Sequence, residues 1–273
     1  MIKPNTYSVI KSLNIVLGFS LFFWLSPTYA TEKQNQNVNL KWQNPNYIQK
    51  AFNEIALKNE YKQTAQRILK WQRPIQYQFH YHQIQKNNLV EELFQTHLKH
   101  LAKITNLPIN KTAQNNNLTI HVTSDKNYGN VIKRFTQTSV KDIERDSHCM
   151  GSFKTNRNNE IISAEIVLPL DHVFSRGLLV SCIVEESTQV MGLPNDSDWV
   201  NPSIANDASK VELLTGLDYI FLKILYDPNL KAGMNTSQSQ PIIRQAIQKM
   251  TKDGTIKRAH IQVNQSGLYP YVN

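Results

Sequence analysis

The sequence predicts an α+β fold, with one domain built on a central mixed sheet over about residues 65–250. Three observations predict it. Helical and strand periodicities follow one another along the chain in the order helix, strand, helix, strand, strand, helix, helix. The chain is long enough for one sizeable core but shows no internal repeat. After the first thirty residues, no segment is long and apolar enough to span a membrane.

The N-terminus reads as an export signal. Lys3 and Lys11 supply a positive start without any acidic residue, and Leu13 to Leu25 is an apolar run of h-region length. Ser26-Pro27 breaks that run, and Ala30 offers a small residue for cleavage. Residues 1–30 are therefore expected to be removed, which places the mature protein in the periplasm or outside the cell. The mature part has about 243 residues. It keeps 28 basic and 21 acidic residues, scattered rather than in blocks. Nucleic acid is not an expected partner, because neither export nor this charge pattern favours it. Two cysteines remain, Cys149 and Cys182. In an oxidising compartment they are expected to pair.

The elements follow in order. Residues 31–64 read as a polar, Asn/Gln-rich lead running into a first helix, whose apolar positions continue from Ile48 through Phe52, Ile55 and Tyr61 to Leu69. Trp71 to His82 alternates, with Ile75, Tyr77, Phe79 and Tyr81 on one face of a strand. Val90 to Thr105 is an amphipathic helix that Asn106 and Pro108 stop. Leu118 to Val122 is a short strand. Residues 124–160 form a long polar stretch, and Ile161 to Leu170 is the next strand. Val173 to Met191 reads as a helix ending at Gly192. Thr215 caps a helix over Gly216 to Tyr226, with Asp218 placed for a capping box. Pro241 to Met250 is a last helix, and 251–273 reads as a tail.

The segment from Cys182 to Asp196 could carry chemistry. Glu185 and Gln189 stack one turn apart on a helix, and Glu186 is one step round. Gly192 lets the chain reverse, so Asn195 and Asp196 return towards the same face. The pattern E-E-x-x-Q-x-x-G-x-x-N-D resembles the zinc helix of zincin and metzincin-type metallopeptidases, H-E-x-x-H-x-x-G-x-x-H. That resemblance implies a zincin-like domain with Glu186 at the general-base position. The three zinc-ligand positions hold Glu185, Gln189 and Asn195, none of them histidine. Their oxygens, with that of Asp196, suit a hard divalent cation better than zinc. The stretch Ser203-Ile204-Ala205-Asn206-Asp207, followed by Leu214-Thr215 and Asp218, looks like the segment after a metzincin zinc helix. Ala205 stands nearest the Met expected there.

A closer resemblance covers most of the mature chain. KWQRPIQY, CIVEESTQVMGLPNDSD, PSIANDAS and LLTGLDYIFLKILYDPNLKAGM are similar to an uncharacterised family of exported bacterial proteins, domain of unknown function 2927. The departure is Ala205, where an aromatic is expected. The family implies export but no activity.

Three readings of the segment stay open. It is a non-catalytic binding module for a protein, peptide or envelope component, an atypical metal-dependent hydrolase using Glu186 as base, or a solvated helix face. The cofactor is unknown, with a divalent metal the one candidate. Elsewhere, His80 and His82 share a strand face at a spacing that could bind metal, although a surface pair is the commoner explanation. His97, His100, His148 and His172 read as helix-face, loop and capping residues.

Overall fold

Alternation of side chains along the chain builds the sheet. Ile75 and Tyr77 are buried on one face of β2 (Ile75–Tyr81), where Phe79 meets the ring of Phe94 edge-on at 5.8 Å. Phe94 belongs to α2 (Asn88–Thr105), which buries Val90, Leu93, Phe94, Leu98 and Leu101 on its apolar stripe. The Asn87 side chain caps its start, and Asn106 ends it in the left-handed conformation that Asn tolerates. The structure, a computed structural model, describes residues 40–59, 65–136, 142–206 and 208–272. The expected signal segment with Ala30 and the lead through residue 39 lie outside the described residues, as do Tyr61 and Asp207.

The sheet is mostly parallel. β1 (Lys70–Trp71), β6 (Glu160–Pro169), β4 (Leu118–Thr123), β2 and β3 (Ile109–Lys111) lie in that order and pair in parallel. β5 (Met150–Thr155) adds to β6 antiparallel, so the expected mixed sheet is present. Parallel neighbours need crossovers, and α2 supplies the one from β2 to β3. The expected α+β class therefore becomes a mixed α/β single domain, because helices alternate with parallel strands instead of segregating.

Four regions differ from the sequence reading, each because tertiary partners outweigh local pattern. The first helix, α1 (Pro45–Leu57), stops twelve residues short of Leu69. Beyond it, Ile68 exchanges backbone hydrogen bonds with Met234 and Gly233, so the chain runs extended into β1. α1 is also core, with Ile48, Ala51, Phe52 and Ile55 fully buried. It therefore packs within the folded unit rather than leading up to a boundary at 65. The polar stretch 124–160 holds α3 (Asp125–Phe135), the short α4 (Ile143–Asp146) and β5. Tyr128, Val131 and Ile132 make a second small core there with Ile143, Met150 and Val167. The helix expected over 173–191 is two helices, α5 (Leu170–Ser175) and α6 (Leu179–Gln189), joined by a turn through Gly177. The expected last helix is α8 (Thr236–Lys252), and the expected tail beyond it is helical as well, with α9 (Thr255–Asn264) and α10 (Tyr269–Val272). Ile256, Ala259, Val263 and Leu268 bury against the rest.

At the centre, α7 (Gly216–Leu225) is apolar nearly all round and buries Leu217, Ile220, Phe221, Leu222, Ile224 and Leu225 completely. Thr215 and Asp218 form the predicted capping box at its start.

Candidate functional site

α6 follows the sheet and is covered on most sides, with Cys182, Ile183, Val184, Ser187 and Thr188 buried. The disulfide Cys149–Cys182 joins it to the start of β5, at a Cα–Cα distance of 5.9 Å. That tether sets the surroundings of Glu186. Glu186 is only 5% exposed, and its carboxylate lies against the backbone of β5. A β-carbon at Gly151 would come within 2.7 Å of Glu186 Oε2, so the missing side chain makes the space the carboxylate fills. Within electrostatic reach of Glu186 is Tyr128, whose hydroxyl shares a 2.9 Å hydrogen bond with Ser147. Burial pushes the Tyr128 phenol well up, and the negative charge of Glu186 adds to the shift.

α6 ends at Gly192, whose φ of +112° suits glycine alone. Side chains satisfy its last carbonyls. Trp71 Nε1 donates to Val190 O at 2.9 Å, and the Tyr226 hydroxyl donates to Met191 O at 2.9 Å. The reversal brings Asp196 back to Gln189, whose amide Nε2 donates to both carboxylate oxygens, at 3.0 and 3.1 Å. Asn195 Nδ2 donates to the Asp196 carbonyl at 2.8 Å. Gln189, Asn195 and Asp196 therefore come together through the Gly192 turn. Glu185 is half-buried one turn before Gln189, and Glu186 turns away to β5.

The following loop is pinned to the start of α7. Ser197 N–H donates to Ala205 O at 2.9 Å. Asp218 accepts from the Ser203 hydroxyl at 2.6 Å, from Ile204 N–H at 3.2 Å and from Thr215 N–H at 2.8 Å. Burial pushes the Asp218 carboxyl up to about 6, against those hydrogen bonds, which favour its charged form.

This arrangement constrains the chemistry. A carboxylate only accepts, so the Gln189 amide must face Asp196 with its NH2 and not with its ligating oxygen. Among the described residues, no group of three or more His, Cys, Asp or Glu side chains is arranged to hold a metal.

Sequence reasoning missed a crevice of about 610 Å3 at the carboxyl ends of the strands. Ile84 and Lys86 after β2, Thr123 and Ser124 at the end of β4, and Asp171 and Phe174 of α5 line it. Open α/β sheets bind ligands at such a position, where neighbouring strands lead their chains off in opposite directions. Here β2 leads to β3 on one side while β4 lies on the other. No sequence signal marks this crevice until the strand order is known.

Together these features define a mixed α/β domain with a carboxylate–amide clasp at the end of α6 and a strand-end crevice. The chain belongs to the family described as protein of unknown function (DUF2927), whose match covers residues 45–245. No curated protein and no solved structure matches it.

Proposed function

We propose that this protein is an exported, zincin-like domain that works by binding and not by hydrolysis. The observation that carries the reading is the Gln189–Asp196 clasp. Gln189, at a position that a peptidase would use on a metal, is committed to Asp196, and Asn195, at another, holds the same loop. Glu186, at the general-base position, is packed against the β5 backbone. A base needs room for a water and a substrate carbonyl beside it. The zincin likeness rests on the helix, the Gly192 reversal and the mixed sheet that precedes them. Fold likeness of this kind does not bring activity with it. Export rests on the expected signal at 1–30 and gains support from the disulfide, which persists in oxidising compartments. The partner is a protein, peptide or envelope component, and the strand-end crevice is the concave surface suited to part of it.

The test compares the parent with Glu186→Gln, on a broad peptide library and in denaturant. We expect no turnover by the parent and a stability loss of about 1–3 kcal/mol in the variant, the cost of disturbing a buried polar group. Parent turnover that disappears in a fully stable Glu186→Gln would establish the hydrolase instead.

A further inference from the structure

A second cluster lies on the other face of the sheet from α2, independent of the Gly192 turn. Parallel register sets His80 of β2 beside His121 of β4, and Thr119 of β4 beside Glu165 of β6. Alternation then puts His80, His82, His121 and Glu165 on one face. His82 Nε2 is 2.8 Å from His121 Nδ1, and His121 Nε2 is 2.9 Å from Glu165 Oε2. The His80 ring is centred 4.4 Å from that of His82 and 5.8 Å from that of His121. Phe135, at the end of α3, stacks on His121 at 4.1 Å and covers the group.

These contacts assign a role to each ring nitrogen. Glu165 accepts only, so His121 presents Nε2–H to it. The other ring nitrogen of His121, Nδ1, faces His82 Nε2. A histidine whose far nitrogen is held by a carboxylate is the usual form of a metal ligand.

We infer that His80, His82 and His121 form a site for a divalent transition metal of the zinc class, with Glu165 orienting His121. At metal–nitrogen distances of about 2.0–2.1 Å, tetrahedral neighbours stand roughly 3.4 Å apart. The His82–His121 pair needs to open only slightly for the cation to replace their hydrogen bond. His82 then carries its proton on Nδ1 and gives Nε2 to the metal. The described residues hold no preformed three-ligand group, so the cation has to draw the three histidines together. His80 is exposed, so rotation about its side-chain bonds is free to bring in the third nitrogen. The same exposure leaves the fourth position to water.

The experiment titrates chelator-treated mature protein with zinc by calorimetry and with cobalt(II) by visible absorption. We expect about one equivalent per chain and the spectrum of four-coordinate cobalt. His80→Ala and His82→Ala should each weaken binding by tenfold or more, and Glu165→Gln by roughly tenfold. His80→Ala changes only an exposed residue, so its melting curve should match the parent's. His148→Ala breaks the other close histidine pair, His148–His172 at 2.9 Å, and should leave uptake unchanged. Uptake below about a tenth of an equivalent by the parent would overturn the assignment. Uptake that survives His82→Ala, or that His148→Ala abolishes, would overturn it equally.

Discussion

Gly192 has no room for a β-carbon. One built there would lie 2.1 Å from the carbonyl oxygen of Leu69, and its φ of +112° is strained for any other residue. The obstacle is the backbone that leads into β1, which cannot swing aside. Gly151 differs, since the nearest atom to a β-carbon there is the tip of the Glu186 side chain, at 2.7 Å. We therefore expect Gly192→Ala to cost about 4 kcal/mol or more, and Gly151→Ala distinctly less, in denaturant midpoints at constant m-value. Equal losses would mean that the Gly192 turn relaxes, and the clasp of Gln189 on Asp196 would lose its rigid frame. The reversal was legible in the sequence, because a glycine three residues after Gln189 has few other uses. The direction of Glu186 was not legible. It depends on Gly151, thirty-five residues earlier, and on a strand that the polar composition of 124–160 concealed.

Among elements, those with a clean period and a single buried face were legible. α2, β4, β6 and the capped α7 lie within a residue or two of their expected bounds, while β2 starts at Ile75, four residues after the expected Trp71, which pairs in β1 instead. α3 and β5 escaped because each buries only a few side chains, in the small second core. α1 was drawn too long because Tyr61, Ala65 and Leu69 continue its period, whereas Ile68 pairs with the turn at 233–234. α2 also carries a consequence for pH. His97 is fully buried facing α6, with Thr188 Oγ1 3.5 Å from its Nε2, and burial followed by the charge of His100 lowers it to about 3. Burial and then Lys103 lower His100 to about 4. Both folded values lie below the unfolded one, so their stabilising contribution is complete above about pH 6.5 and is lost as pH falls towards 4 and 3. Asp218 acts in the opposite sense. Its raised value makes stability fall as pH rises from about 4 to 6. Two histidines outweigh one carboxyl over the same window, so the melting temperature should rise from pH 4.5 to pH 7. His97→Gln should flatten that rise, and a parent whose melting temperature stays level or falls over this range would contradict the argument.

At the scale of the whole molecule, the disulfide ties the start of β5 to α6 within the main core. Cys149 and Cys182 both lie in the main core, while Met150, the next residue after Cys149, packs into the small core under α3. Both are buried. The bridge closes a loop of about 34 residues containing β5, β6 and α5, and on the chain-entropy account this removes enough unfolded-state freedom to stabilise by roughly 4 kcal/mol. A domain of ordinary stability has about 5–15 kcal/mol in all, so this single bond is a large fraction. It also holds β5 against α6, and with it the space at Gly151 that receives Glu186. The double variant Cys149→Ser/Cys182→Ser should therefore unfold at a clearly lower denaturant concentration. Amide exchange should rise first in β5 and the first turns of α6, the segments the bridge holds directly. On the export proposed above, protein recovered from the periplasm should show no free thiol until it is unfolded and reduced, and its N-terminus should be Thr31. Free thiols in the folded, exported protein would refute both the bridge and its stabilising role. A drop in stability without faster exchange in β5 would leave the bridge acting on the unfolded chain alone.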